Sequence, residues 1–468
     1  MRKRRFMSSV LAGAVILSLA ACGSPQNTGS SAASGSQTSQ TAENSSSKTE
    51  STCATESAAG GKKLTVWIEK IFSDDANTKL QDRVEQFGKE NGVEVKCELV
   101  AVTDFVTKLN AVIEAGNGIP DVISADSSRI LNYYPNIPCM DVSELVDSIN
   151  KERPYFDAVY KGTKIGDAHY YVPFASSSTL MFVRKDKLAE KGITKMPATW
   201  DEVFETAEKV SDPANDFYGL GMGCGDTDDD DENMFREWLW NTGGSLFDKD
   251  GGITADSGKW AEIANKYNEL YKKQVIPPDA LSWDSGGNNG SYLAGRTAIV
   301  FNAPTLYNAL KKSDETKKLL ENTEILAPPS GSDNGIYLNF NRGFSIMNSC
   351  KDTDTAKAFL NYMLDKTWYD QYFELTAPIY APVFQDEKQN ETWTKDPVNA
   401  EVLKYAENAS GFYGYPVSTI KGRAVAAKHL YTFPLEKVMN QVATGTKTAE
   451  DAINEQINAI KDFQDQVG

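Results

Sequence analysis

The side chains best placed to do chemistry follow short apolar runs. Glu69 and Phe72 come after Leu64-Thr-Val-Trp-Ile68, and Asp126 and Ser127 come after Pro120-Asp-Val-Ile123. A carboxylate in such a place can accept from two neighbouring hydroxyls, and a ring offers an apolar platform. Arg342, beside Asn339 and Asn341, could grip a carboxylate or phosphate with two parallel bonds, or could brace the fold. Trp238 and Trp240 stand two apart on a predicted helix, so they face different sides. Catalytic patterns are thin. His169 and His429 are the only two histidines, which excludes a His-rich metal site and leaves any Ser–His–Asp triad one of those two. Glycoside hydrolysis needs two carboxylates flanking the bond, and no motif sets a pair apart. The acidic run Asp226–Glu232 lacks the Gly and terminal Glu spacing of a calcium loop. Acidic residues at a helix start favour the helix dipole in any case. Cys97, Cys139, Cys224 and Cys350 show no CxxC spacing and are expected as buried free thiols, with pairing left open. This inventory suits holding a ligand, with no cofactor and no metal.

Those residues need elements to aim them. Leu64, Val66 and Ile68 alternate as a strand. Leu80, Val84 and Phe87 recur at helical spacing behind Asn77, a candidate N-cap. Val93 to Leu99 alternates again, Leu109, Val112 and Ile113 form a helix face, and Pro120 opens a third strand. This β-α-β-α-β order predicts a parallel sheet covered by helices. Further on, Thr199-Trp-Asp-Glu202 reads as a capping box opening a helix through Val210. Strands are expected at Tyr218–Met222, Thr297–Phe301 and Phe344–Met347. Helices are expected at Met234–Asn241, Trp260–Lys272 and Thr355–Leu364, and from Thr448 onward.

Of the 468 residues, 40% are hydrophobic, enough for a sizeable core, and the length suits two or three domains or one bilobal one. The charge is −17, from 65 acidic and 48 basic residues, which argues against nucleic acid as a partner. Arg2, Lys3, Arg4 and Arg5 precede an apolar stretch, Phe6–Ala21, which at about 16 residues is short for a membrane span and suits a secretory signal. It ends Leu19-Ala-Ala-Cys22-Gly23, which resembles the bacterial lipobox. Residues 1–21 are therefore expected as a lipoprotein signal peptide, with Cys22 as the lipid attachment. Cleavage would leave 44 basic and 65 acidic residues, net −21, so the folded part should stand off an anionic membrane surface. Residues 23–61 are nearly all small or polar and read as a flexible linker with a mean reach of roughly 35 Å.

Seven blocks in order carry a resemblance to a family. They are Leu64–Ile68, Gly118-Ile-Pro-Asp-Val122, His169-Tyr-Tyr-Val-Pro173 with Leu180–Asp186, Pro197–Glu202, Asn241–Asp248, Leu293–Ala298 and Asp354–Leu364. Over about residues 62–465 the chain resembles the extracellular solute-binding proteins of ATP-driven importers, the family that includes maltose-binding protein. The resemblance implies an α/β, two-lobed periplasmic-binding-protein fold. Each lobe would be a mostly parallel sheet flanked by helices, with the ligand cleft between lobes, outside the carboxyl ends of the strands. Lobe 1 would take residues 62–172 plus 297–365, and lobe 2 residues 173–296 plus 366–468. It also implies a carbohydrate ligand, an oligosaccharide first, ABC importer permease subunits as partners, a monomer, and a lipid-anchored place on the extracellular face of the cell membrane. A non-sugar or anionic solute, such as a polyol phosphate or acidic sugar, is the alternative.

Residue types at strand ends, taken together with the resemblance, give the expected ligand-binding set: Glu69, Phe72, Asp126, Ser127, Ser177, Asn233, Trp240, Trp283, Asn302, Asn341, Arg342 and Tyr380. The chain departs from the pattern twice. Serines 176–178 stand where several maltose-type binders carry a carboxylate. Asn302-Ala-Pro-Thr305 replaces Asn-Gly-Pro-Trp, so a Trp platform is missing there, and Trp283 or Tyr307 could compensate. Tyr413, Tyr415 and Tyr431 are further candidate platforms.

Overall fold

The computed structural model describes residues 61–71, 73–225, 229–253, 257–329 and 335–468. Cys22, the signal and linker segments, and Phe72 lie outside the described residues, as do Asp226 to Asp228 of the acidic run. No helix among the described residues is long and apolar enough to cross a membrane.

Nine strands form two sheets. In chain order they are β1 (Lys62–Glu69), β2 (Val93–Val100), β3 (Val122–Ala125), β4 (Val172–Ser177), β5 (Leu180–Arg184), β6 (Tyr218–Gly221), β7 (Thr297–Asn302), β8 (Thr323–Leu326) and β9 (Phe340–Ile346). The first sheet runs β2-β1-β3-β9-β4 and the second β6-β7-β5-β8. β1 pairs in parallel with β2 and β3, while β9 runs antiparallel to β3 and β4. In the second sheet β5 is the antiparallel member, between β7 and β8. Each sheet is thus mostly parallel with one reversed strand. β1 shows why the sheet is covered on both sides: Leu64, Val66 and Ile68 are buried on one face and Trp67 on the other.

The helix after β1, Asp74–Asn91, is capped by Ser73, whose hydroxyl accepts from the Ala76 amide at 3.3 Å; Gly92 ends it at φ 64°. Asn77 is therefore not the cap the spacing predicts. Its amide side chain instead binds both the N–H and the C=O of Ile71, each at 2.9 Å, and so holds the turn that leaves β1. Thr199 does cap Trp200–Val210, accepting from the Glu202 amide at 3.2 Å. The Glu202 carboxylate accepts from the Ala198 amide at 2.7 Å.

The chain crosses between sheets from β4 to β5 and returns from β8 to β9. The expected division of residues shifts accordingly. The segment 297–365 was expected in lobe 1, but β7 and β8 belong to the second sheet, and only β9 and the helix Thr353–Met363 pack with the first. Local pattern could not reveal this, because residues 298–301 are buried on both faces and read only as a central strand. Helix Lys366–Thr376, expected in lobe 2, packs on Asp74–Asn91 in lobe 1. There the Arg83 guanidinium lies 3.4 Å from the centre of the Tyr362 ring and 5.1 Å from that of Trp368. Helices Pro434–Ala443 and Ala449–Val467 pack on helix Ser257–Lys272, and helix Ile420–Leu430 packs on Ala449–Val467.

The return crossing is anchored on both sides. From helix Asp229–Asn241, Asn241 bonds the N–H and C=O of Ile336 at 2.9 and 3.1 Å. Glu237 of the same helix accepts from the Leu338 amide at 2.8 Å. Asn339 then donates to the carbonyls of Ala158 and Ala409. Three residues later the chain presents Arg342. The lobes also touch directly: helix Ile420–Leu430 lies on helix Ser127–Leu131, and Lys428 donates to the Asn132 carbonyl at 3.2 Å.

Candidate functional site

Four of the expected residues, Glu69, Asp126, Arg342 and Tyr380, line one pocket. It opens at the carboxyl ends of β1 and β3, beside the start of β9.

Each polar group there is placed by backbone. Glu69 ends β1, and its amide donates to Ser124 Oγ at 3.0 Å. Asp126 follows β3 and caps helix Ser127–Leu131, accepting from the Arg129 amide at 2.9 Å and from Ser128 Oγ at 2.5 Å. Arg342 lies one residue beyond the Ala125–Gly343 pair of β3 and β9. Tyr380 is steadied by the next residue, because Ala381 and Ser176 exchange backbone bonds at 2.8 and 2.9 Å.

The two guanidiniums and two carboxylates form one network. Glu69 accepts from Arg129 Nη2 through Oε2 at 2.5 Å, and from Arg342 Nη1 through Oε1. Arg129 Nε lies 3.9 Å from Asp126. The side-chain exposures rank the four: Glu69 5%, Arg129 11%, Asp126 27% and Arg342 43%. Burial by itself would raise the Asp126 carboxyl, but Arg129, Ser128 and the Arg129 amide outweigh it and hold it below the usual carboxylate range. Burial also works against the Arg342 charge, yet Tyr380, Glu69 and Asp126 together raise its pKa. Tyr380 is pushed up by burial and stays a neutral hydroxyl.

The apolar half of the pocket is aromatic. Phe174 of β4 meets Phe344 at 5.2 Å and Tyr372 at 5.5 Å between ring centres. The site therefore has a fixed polar edge backed by buried rings that pack on one another.

Other expected residues lie elsewhere. Ser127 bonds the Tyr171 hydroxyl at 3.1 Å, and Ser177 is half-buried opposite Phe340. Asn341 is buried and lies on the face of β9 opposite Arg342; among the described residues no hydrogen-bond partner is found for its amide atoms. Asn233 is buried on Asp229–Asn241, and Trp240 of that helix packs edge-on to Tyr415 at 5.4 Å. Trp283 and Asn302 turn into the second lobe instead of toward this pocket. The Trp283 ring covers Gly287, where a Cβ would sit 2.3 Å from it, and its Nε1 donates to Asp279 at 3.1 Å. Asn302 donates to Asn288 at 2.8 Å, and Asn288 donates to the Phe301 carbonyl. Both histidines are buried, and burial lowers their pKa to about 4 for His169 and about 3 for His429.

The pocket also uses residues the sequence reading passed over: Arg129, Phe174, Phe344 and Tyr372. Arg129 had a local signal, the Asp126-x-x-Arg129 spacing at a helix start. Tyr372 had none, since its helix reaches the site only by tertiary packing.

Comparison with known proteins agrees with this architecture. Residues 82–401 match the model of a family described as bacterial extracellular solute-binding protein. A protein of Brucella abortus described as a binding protein is 24% identical over 339 residues, 71% of this chain and 79% of that one. The galactooligosaccharide-binding protein of Bacillus subtilis is 27% identical over 205 residues, 43% of this chain and 40% of the relative. Among solved structures, the GacH receptor of Streptomyces glaucescens, determined unliganded and with acarbose, superposes with a TM-score of 0.69. It is 18% identical, and the match covers 86% of this chain and 99% of that one. A two-lobed α/β fold, a pocket at its strand ends and a match over most of the chain together place this protein among the bacterial extracellular solute-binding proteins.

Proposed function

We propose that the protein captures a carbohydrate, an oligosaccharide first, between its lobes and delivers it to the permease subunits of an ABC importer. The observation that carries this reading is the pocket itself: Arg342, whose side chain is 43% exposed, and the helix-capping Asp126, beside an aromatic lining. Sugar hydroxyls need paired donors and acceptors, and the apolar faces of the rings need platforms. The relatives that bind galactooligosaccharide and acarbose lend support. Glu69, Asp126, Arg342 and Tyr380 form the inner wall of the proposed site. Phe72, Ser127, Ser177, Asn233 and Trp240 remain candidates for its outer parts. The protein binds without converting, acts as a monomer, and is held by a lipid on Cys22 to the extracellular face of the cell membrane, behind a linker ending near residue 61.

A second reading, an anionic solute such as an acidic sugar or polyol phosphate, has the exposure of Arg342 in its favour. A thermal-shift screen separates the two, because a ligand that binds only the folded state raises the melting temperature. Neutral oligosaccharides should shift the wild type and remain intact after incubation. Release of reducing ends over hours would make it a hydrolase, and a shift with phosphorylated or acidic solutes alone would favour the second reading.

A further inference from the structure

The polar wall of the pocket is electrically closed. Its charged side chains are Glu69, Asp126, Arg129 and Arg342, and the other lining residues are Ile, Leu, Ala, Gly, Ser, Phe and Tyr. Two carboxylates face two guanidiniums, so the formal sum is zero. Glu69 is the centre: it is 5% exposed and takes one guanidinium on each oxygen. Asp126 meets Arg129 from the other side and spends one oxygen on capping its helix. Arg342 is the most exposed of the four, and of its guanidinium nitrogens only Nη1 has a described hydrogen bond, to Glu69. A guanidinium carries five N–H donors. The ligand therefore meets hydrogen-bond donors whose charge is already answered from behind.

We propose that Glu69 is the specificity-determining residue of this pocket: by neutralising Arg129 and Arg342 it makes the site select uncharged polyhydroxyl ligands over anions. This rests on the carbohydrate reading for the identity of the ligand, while the rejection of anions can be tested without it. Glu69 acts through Arg342 as a positioning residue and does not touch the ligand. An incoming carboxylate or phosphate would add negative charge beside Glu69 and Asp126 with no unanswered cation to meet it, and such like-charge juxtaposition is costly. A neutral hydroxyl only fills the unused donors.

The test uses the full-length protein, wild type and Glu69→Gln, with two kinds of probe. Inorganic phosphate and digalacturonate are titrated against chloride at constant ionic strength, and neutral probes such as maltotetraose and galactooligosaccharides are titrated in parallel. The expected result is that Glu69→Gln binds digalacturonate and phosphate about tenfold tighter or more than wild type, with neutral sugars weakened. Glu69→Asp keeps the charge and should still reject anions, which a purely structural role for the side chain would not produce. If Glu69→Gln fails to fold, Asp126→Asn removes the same charge from a more exposed member and must show the same gain. No gain in anion affinity in either charge-removing variant, or a wild type that already prefers digalacturonate, overturns the inference. A wild type shifted by no neutral sugar, with the anion gain still present in Glu69→Gln, overturns the carbohydrate reading and leaves the inference standing.

Discussion

Two clusters of acid and arginine, one in each lobe, use the same chemistry to opposite ends. In the second lobe, helix Asp229–Asn241 carries Glu232 and Arg236, 1% and 5% exposed and 2.6 Å apart. The other Glu232 oxygen accepts from the amides of Leu435 and Glu436, both at 2.9 Å, at the start of helix Pro434–Ala443. That cluster ties one helix to another. In the first lobe Glu69 is as well paired, but one of its partners, Arg342, keeps 43% of its side chain in contact with solvent. Burial of every member makes a brace; leaving one arginine side chain partly open makes the proposed recognition edge. The difference arises from placement. The first cluster is inside a helix pair, whereas the second sits at the carboxyl ends of a sheet, where side chains outrun the backbone that covers them.

The largest effect that could break this comparison is on stability. Glu232→Ala should cost about 3–5 kcal/mol, because it strands a buried guanidinium and two helix-start amides. Urea unfolding would measure it, and a loss below about 1 kcal/mol would show that the cluster is no brace.

Next in size is a pH effect from the same helix. Glu237 is buried, and burial raises its carboxyl from an ordinary 4.5 to about 7, although the Leu338 amide and the Tyr405 hydroxyl bond it. Between those values the folded chain holds a proton that the unfolded chain has released. Stability should therefore fall as pH rises from about 4.5 to about 7 and level off above, by about 3 kcal/mol in total. Glu237→Gln should flatten that slope in unfolding measured across the window; an unchanged slope would assign it to other groups.

Asp126→Ala should lower stability by only about 1 kcal/mol, the usual loss for a helix cap, while weakening sugar binding about tenfold or more in calorimetric titration. Unaltered affinity would remove Asp126 from the site. The pH arm for Asp126 has the opposite sign to that for Glu237. Its folded pKa is depressed, so its contribution is present above about pH 4 and is lost as pH falls through the lowered value. The smallest effect is the control: Lys161→Ala, whose exposed pair with Asp157 spans one helical turn, should change stability by less than about 0.5 kcal/mol and binding not at all.

Much of this molecule was legible in local pattern. The strand after Lys62, the helix ended by Gly92 and the buried strand from Thr297 follow from periodicity and stop signals. The place of Glu69 and Asp126 along the pocket was legible for the same reason: a polar residue at the end of an apolar strand comes to the mouth of a parallel sheet. Trp283 was not, because ring type gives no direction, and only the approach of Gly287 shows the indole turned inward. Asn302 likewise ends a strand, but the amide of Asn288 claims it.

By itself the sequence determined the elements, their order and the residue types available, since these depend on spacings of two to four positions along the chain. Tertiary structure alone decided which sheet received β7 and which charges meet. Glu69 and Arg342 stand 273 positions apart and touch because β9 returns antiparallel beside β3. No local period encodes a contact at that range; it is set by the packing of whole strands, which also decides which guanidinium remains open to a ligand.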